Sequence, residues 1–205
     1  MMSFRHFPIF ALTLLALASF TVQADPSIGQ PAPAFSGKTA DGKSLDLQSL
    51  KGKTVVLEWT NHQCPFVKKH YDSGNIPQLQ KDAVAKGIVW LQVISSAPGK
   101  EGHVDGATSA KLNAQRGAVP TNTILDPEGS IGKLYGAKTS PHLFIIDPQG
   151  VLVYKGGIDS IPSADPADIA KAENYVKSAL GELAAGKKVS KDSTQPYGCT
   201  VKYSS

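Results

Sequence analysis

The sequence TVVLEWTNHQCPFV, residues 54–67, contains the pattern of a buried strand followed closely by a cysteine and a proline. Its first six residues are mostly apolar, β-branched or aromatic, which is typical of a strand covered on both faces of a sheet. Pro65 fits the first turn of a helix, where the missing N–H of proline leaves no hydrogen bond unmade. We therefore predict that Cys64 lies between a buried strand and the start of a helix.

A second buried strand is predicted at residues 88–94, IVWLQVI. Between the two strands, apolar residues recur at helical spacing up to Gly87. These residues are Phe66, Val67, Tyr71, Ile76, Leu79, Ala83 and Val84. Strand, helix and strand in this order predict a βαβ unit.

The second half of the chain predicts a different arrangement. Residues 142–146 and 151–155 flank the turn sequence Asp147-Pro148-Gln149-Gly150, which indicates a β-hairpin. A final helix is expected from Asp165-Pro166 to Gly186, with one apolar face formed by Ile169, Ala172, Val176, Leu180 and Leu183. A further helical stretch is expected near residues 107–116. The elements together predict an α/β domain with a central mixed sheet flanked by helices.

The N-terminal residues have the pattern of an export signal. Arg5 and His6 precede an apolar run over residues 7–22, and small residues at Val22 and Ala24 provide a cleavage site. The run of about 16 residues is short for a membrane span of about 20. We predict a signal peptide at residues 1–24, one domain at 25–186 and a tail at 187–205. The mature protein is expected to be periplasmic or secreted.

Composition and charge do not indicate a nucleic-acid-binding or membrane-binding surface. The chain has 21 basic and 17 acidic residues, and its lysines are scattered along the sequence. A nucleic-acid or membrane surface would instead concentrate positive charge. We predict no cofactor, no metal centre, no nucleic-acid partner and no membrane partner after signal cleavage.

Cys64 is predicted to be a nucleophile. At a helix start, unpaired N–H groups and the positive end of the helix dipole stabilise a thiolate and lower its pKa from the usual value of about 8.5. Lys68 and His62 are close enough in sequence to add to this effect. The alternative is that Cys64 is a small buried apolar residue.

Several segments in the same order carry a family resemblance. They are GQPAP at 29–33, Phe35, LKGK at 50–53, residues 59–71 with Cys64-Pro65, LDPEG at 125–129 and SPHLFIID at 140–147. With these segments the chain resembles the redoxin, or AhpC/TSA-like, branch of the thioredoxin superfamily. That group includes alkyl hydroperoxide reductases and thiol-specific antioxidant proteins. The resemblance implies a thioredoxin-like fold for residues 28–158.

The resemblance also implies roles for residues around Cys64. Pro141 resembles the family's cis-proline, which packs beside the reactive sulfur and leaves the backbone of Ser140 free for a substrate strand. Glu58, six residues before Cys64, matches a buried acid that accepts a proton during thiol exchange. His62 and Pro65 are expected to contact the substrate. The alternatives are a trans proline at a strand start and a glutamate that faces water.

The sequence also departs from the two best-known site patterns. Val67 stands where a thioredoxin has its second cysteine. A peroxiredoxin has threonine or serine three residues before its cysteine and proline seven before, whereas this chain has Asn61 and Leu57. Arg116, the one arginine after residue 24, does not align with the peroxiredoxin arginine. Asn61 or His62 would then have to supply the donors that stabilise a developing oxyanion.

Cys199 is the other cysteine of the chain. Tyr197, Cys199, Val201 and Tyr203 alternate, which predicts a docked strand with these four side chains on one face. We expect Cys199 to pair with Cys64, because two cysteines of an exported protein usually form a disulfide. The pair is either a catalytic couple or a structural cross-link.

Three functions remain open. The first is a thiol–disulfide oxidoreductase in which Cys64 attacks protein or small-molecule disulfides. The second is a thiol peroxidase in which Cys64 becomes a sulfenic acid that Cys199 resolves. Both use a thiol electron donor. The third is a metal-handling or interaction module that uses Cys64 with His62 and His70, and a single sulfur makes this a poor site.

Overall fold

The computed structural model describes residues 25–204. Nine strands are present in this range: β1 Ser36–Thr39, β2 Ser44–Asp46, β3 Val55–Trp59, β4 Val89–Ile94, β5 Asn122–Leu125, β6 Thr139–Ser140, β7 His142–Ile146, β8 Leu152–Gly156 and β9 Cys199–Thr200. Five α-helices accompany them: α1 Pro65–Asp72, α2 Asn75–Ala85, α3 Gly106–Gln115, α4 Ser130–Leu134 and α5 Tyr175–Ala184. The predicted signal peptide lies outside the described residues.

A seven-stranded mixed sheet forms the centre, in the order β2-β1-β5-β4-β3-β7-β8. Strand β3 pairs in parallel with β4 and antiparallel with β7, and all five of its residues are buried. The predicted βαβ unit and the β7–β8 hairpin are both confirmed. The α/β class with a central mixed sheet is therefore correct, and a short turn over residues 60–63 joins the end of β3 to Cys64.

The connection between β3 and β4 contains two helices where the apolar spacing predicted one helical region. Helix α1 ends at Asp72, and Gly74 adopts φ +75° before α2 begins. Left-handed backbone of this kind favours glycine, which has no Cβ to clash. The break separates α1 from α2, and both helices bury apolar side chains.

The final helix begins later than predicted. Residues 166–168 form only a short 3-10 turn, and α5 begins after Asn174, whose side chain accepts a hydrogen bond from the N–H of Lys177. Asn174 also pairs in an antiparallel bridge with Asp159. This extended pairing interrupts the helical pattern, so the apolar positions before residue 174 do not continue the helix.

Side chains on the two faces of the sheet form two apolar clusters. Leu57 and Trp59 belong to one cluster, and Val56 belongs to the other, together with Cys64 and Trp90. The alternation of side chains along β3 explains this division. Cys64 therefore lies on the face of the sheet that α1 and α2 cover.

The C-terminal tail crosses the end of the sheet and contacts both clusters. Tyr197 and Cys199 pack against the cluster that contains Cys64, whereas Val201 and Tyr203 belong to the opposite one. The prediction that these four side chains share one face is therefore wrong. The chain passes from one face to the other beside β6, where only Cys199 and Thr200 are paired as a strand.

Within residues 25–204, no helix has both the length and the apolar character needed to cross a membrane.

The docking of the tail can be tested at Gly132. A Cβ added there would lie 2.4 Å from Tyr203 Oη and 2.8 Å from Ser95 Oγ. We expect Gly132→Ala to lower the free energy of unfolding by about 1–3 kcal/mol, because the Tyr203 ring must move. In a Tyr203→Ala background the part of that cost due to Tyr203 should disappear, while the part due to Ser95 should remain. A double-mutant cycle from urea unfolding measures the difference, and an equal cost in both backgrounds would contradict the docked position of Tyr203.

Candidate active site

Cys64 is the residue that caps the N-terminus of α1. Its backbone is extended, with φ −69° and ψ 126°, and Pro65 is the first helical residue, as predicted. The N–H of Cys64 donates to the carbonyl oxygen of Asn61 at 3.1 Å, which closes the turn between β3 and α1. The first turn of α1 contains no acidic residue, so no carboxylate there opposes the dipole at the sulfur.

Cys64 and Cys199 form a disulfide, with their Cα atoms 5.9 Å apart. The predicted pairing of the two cysteines is therefore confirmed. The Cys64 side chain is fully buried, whereas Cys199 is partly exposed. The disulfide joins the start of α1 to a tail segment 135 residues later in the chain.

The disulfide lies beside the Ser140–Pro141 peptide bond, which is cis. The carbonyl oxygen of Ser140 is 3.2 Å from Cys64 Sγ. Strand β9 pairs antiparallel with β6 here, with Cys199 opposite Ser140. The backbone edge that the resemblance assigned to a substrate strand is thus occupied by the tail of the same chain.

Gly198 makes this close pairing possible. Its φ is +136°, and an added Cβ would lie 2.1 Å from the carbonyl oxygen of Ser140. A side chain at this position would collide with the backbone, and the backbone conformation itself favours glycine. Gly198 therefore allows Cys199 to approach Cys64.

Asn61 is buried and supports the turn before Cys64. Its Oδ1 accepts a hydrogen bond from the N–H of Gln63 at 2.9 Å, and its Nδ2 donates to Glu101 Oε1 at 3.0 Å. Gly102 packs so closely that an added Cβ would be 2.4 Å from Asn61 Oδ1. Both the oxygen and the nitrogen of the Asn61 side-chain amide are therefore hydrogen-bonded.

Glu58 is fully buried in β3 and lies in a polar network between the sheet and the two helices α1 and α2. Its carboxylate accepts hydrogen bonds from Tyr71 Oη at 2.6 Å, Trp90 Nε1 at 2.7 Å and Gln80 Nε2 at 3.1 Å. The alternative of a glutamate that faces water is wrong. The network holds Glu58 on the same sheet face as Cys64, and its direct partners are these three residues.

Burial raises the pKa of the Glu58 carboxyl above its ordinary value, because the charged form loses its hydration. The hydrogen bonds from Tyr71, Trp90 and Gln80 and the charge of Arg116 act in the opposite direction without cancelling this effect. Burial also raises the pKa of Tyr71 well above its ordinary value, so its hydroxyl keeps its proton. A buried carboxylate whose pKa is raised is a stronger proton acceptor than an ordinary one.

His62 is half-buried near the start of α1. Burial lowers its pKa, and the nearby charges of Arg116 and Lys68 lower it further, while Glu101 raises it. A cavity of about 650 Å³ lies alongside these groups. Arg116 stacks on the ring of Tyr71, with Cζ 3.8 Å from the ring centroid. The sequence analysis did not predict this contact between Arg116 and the Glu58 network.

A second buried polar cluster holds the tail and was also missed from the sequence. Tyr197 Oη donates to Asp159 Oδ1, and His70 Nε2 is 3.1 Å from the same hydroxyl. Asn75 Nδ2 contacts the other ring nitrogen of His70 at 2.8 Å. The Lys69 ammonium is fully buried 3.6 Å from Asp159 Oδ2. Consecutive Lys69 and His70 after an apolar helix start were the only sequence signal of this cluster.

The histidine in this cluster is neutral. Burial lowers the pKa of His70 to about 4, and the Lys69 charge adds to this while Asp159 opposes it. Because both ring nitrogens already have partners, His70 is not available as a ligand beside His62 and Cys64. Within residues 25–204, no three His, Cys, Asp or Glu side chains converge as a metal site would require.

Solved structures show the same fold. A Geobacillus kaustophilus protein of uncharacterised function superposes with a TM-score of 0.72 at 24% identity, covering 87% of this chain and 93% of that one. A Chlorobium tepidum protein described as a thiol:disulfide interchange protein DsbE superposes with a TM-score of 0.51 at 25% identity, covering 64% of this chain and 85% of that one.

Sequence comparison gives the family. A Coxiella burnetii protein named as a peroxiredoxin is 25% identical over 138 residues, which are 61% of this chain and 84% of the relative. The thioredoxin-like protein YneN of Bacillus subtilis is 29% identical over 124 residues, 60% of this chain and 68% of the relative. Residues 28–155 match the model of the AhpC/TSA family. The chain is a thioredoxin-fold redox protein and belongs to the AhpC/TSA family.

Proposed function

We propose that the protein is a thiol–disulfide oxidoreductase in which Cys64 attacks the substrate and Cys199 resolves the mixed disulfide. The observation that carries this proposal is the position of the Cys64–Cys199 disulfide, at the start of α1 and beside cis-Pro141. A helix start stabilises a thiolate, which is the attacking form and also the better leaving group. A purely structural cross-link would not need either property.

The reaction takes two exchange steps. The Cys64 thiolate attacks one sulfur of a substrate disulfide, so that a Cys64–substrate bond forms and one substrate thiolate leaves. The Cys199 thiolate then attacks Cys64 Sγ, which forms the Cys64–Cys199 disulfide and releases the second substrate thiolate. Two electrons pass from the protein to the substrate, and an external dithiol restores both cysteines by becoming a disulfide itself.

A thiol peroxidase is the second candidate, favoured by the match to a protein named as a peroxiredoxin. Cleavage of a peroxide O–O bond requires donors directed at the developing oxyanion. One N–H of the Asn61 amide already donates to Glu101, which leaves at most the second N–H of that amide for an oxyanion. Consumption of hydrogen peroxide compared with reduction of cystine, each with the same dithiol donor, separates the two candidates.

The proposed partners are a disulfide substrate and a thiol electron donor. We also propose that the protein works outside the cytoplasm, as the apolar run at residues 7–22 predicts. Disulfide couples persist in that compartment. Two residues next to Cys64 in sequence, His62 and Pro65, are proposed to contact the substrate. Ser140 and Pro141 lie beside the reactive sulfur in the fold.

Replacing each cysteine in turn tests the proposed cycle. We expect Cys64→Ser to abolish turnover of cystine, because the thiol at the helix start is lost and Cys199 alone cannot complete a two-cysteine cycle. Cys199→Ser, reduced and then freed of dithiol, should release one cysteine from cystine and then stop, with Cys64 trapped as a mixed disulfide that mass spectrometry identifies. The two variants are matched controls, since each loses the same cross-link and the same stabilisation of about 2–5 kcal/mol. Sustained turnover of Cys199→Ser at the wild-type rate would rule out a resolving role.

The pH dependence of turnover tests Glu58 as proton acceptor. The carboxylate must be ionised to accept a proton, so the rate should rise as the pH rises through its raised pKa. We expect Glu58→Gln to remove this rise and leave only the titration of Cys64. Tyr71→Phe removes a donor that stabilises the carboxylate, so the rise should move to higher pH. An unchanged profile in Glu58→Gln would show that Glu58 serves only the packing of the interior.

A further inference from the structure

We infer that the docked tail excludes polypeptide disulfides from Cys64, so that the protein acts on small-molecule disulfides. The inference rests on the proposed attack of Cys64 on a disulfide and names its substrate class. It follows from what the tail occupies, how the tail is held, and what a polypeptide substrate would need at the same place.

The tail takes the backbone edge nearest to the reactive sulfur. Cys199 is paired with Ser140 and Thr200 with Thr139, and the N–H of Val201 donates to the carbonyl oxygen of Lys138 at 3.0 Å. A polypeptide that binds as an extended strand needs such an edge, because main-chain hydrogen bonds supply its affinity. The chain's own residues 199–201 already make these bonds.

The tail is anchored on the N-terminal side of Cys199. The Tyr197 ring packs edge-to-face on Phe66, with centroids 5.8 Å apart, and its hydroxyl is bound by Asp159 and His70. Asp159 is in turn 3.6 Å from the buried Lys69 ammonium. These contacts fix the chain two residues before Cys199.

The tail is anchored equally on the other side. Val201 is buried in the opposite core cluster. The carbonyl oxygen of Lys202 accepts a hydrogen bond from the N–H of Ala97 at 2.8 Å, and Tyr203 Oη donates to the carbonyl oxygen of Ala137 at 2.8 Å. None of these contacts involves a sulfur atom. Reduction of the disulfide therefore leaves both anchors in place.

An external strand would have to displace a segment that is held at both ends and has a high effective concentration. A small disulfide avoids this competition, because it needs no main-chain pairing. Opening of the Cys64–Cys199 bond has only to uncover Cys64 Sγ, which is fully buried while the disulfide is closed. Between reduction and the next turnover the tail stays beside Cys64, with Cys199 positioned to resolve the mixed disulfide.

The test uses Cys199→Ser, which keeps the tail backbone and stops the reaction at the mixed disulfide on Cys64. Two probes carry the same thionitrobenzoate leaving group, one on cysteamine and one on the cysteine of a ten-residue unstructured peptide. Release of thionitrobenzoate gives the rate of attack by Cys64, and the rate with free glutathione corrects for the intrinsic reactivity of each probe. A second protein also carries Tyr197→Ala, which removes one anchor.

With the tail docked, we expect the corrected rate for cysteamine to exceed that for the peptide by at least about tenfold, because only the peptide competes with the tail strand. Tyr197→Ala should raise the peptide rate and leave the cysteamine rate unchanged. Tyr175→Ala is the matched control, since Tyr175 packs on the same core cluster without holding residues 197–203. If Tyr197→Ala does not fold, Val201→Asp loosens the tail from the other side.

Equal corrected rates for the two probes with the tail docked would overturn this inference and leave the proposed function intact. Attack on neither probe faster than by free glutathione would overturn the proposed function, and the inference with it. A preference for cysteamine that survives loosening of the tail would also overturn the inference, because something other than the tail would then exclude the peptide.

Discussion

Antiparallel pairing of Cys199 with Ser140 is the interaction on which the rest of the site depends. It places a sulfur from the end of the chain against the start of α1, where Cys64 Sγ lies 3.2 Å from the Ser140 carbonyl oxygen. Gly198 allows the two backbones to approach, and Tyr197 and Val201 hold the strand on either side. The second cysteine of the couple is thus supplied by a strand, at a place where Val67 leaves α1 without one.

Two buried polar networks support the disulfide site. Glu58 with its hydrogen-bond donors lies beneath α1, and Asp159 with Lys69, His70 and Tyr197 fixes the tail. A buried charge is costly unless it is paired or hydrogen-bonded, so each network depends on all its members. The first network bears on proton transfer in the proposed chemistry, and the second holds the tail to which we attribute the choice of substrate.

The local pattern of the sequence was sufficient for the α/β class, the βαβ unit, the β7–β8 hairpin and the position of Cys64, because these follow from apolar periodicity and turn residues. The late start of α5 was not predictable, since the pairing of Asn174 with Asp159 joins distant parts of the chain. The contacts of Tyr197 with His70 and Asp159 were missed for the same reason. The alternation of residues in the tail predicted that four side chains share one face. In the fold the tail crosses the end of the sheet, so these side chains divide between the two core clusters.

The central claim is that Cys64 and Cys199 form a catalytic couple, and the reduction potential of that couple tests it most directly. Equilibration of the wild-type protein with a reference dithiol–disulfide buffer, followed by alkylation and mass analysis of both cysteines, gives the potential. The account predicts a value above about −300 mV, in the range of disulfides that open and close during function. A value well below this would contradict the account, because the disulfide would then be a structural cross-link.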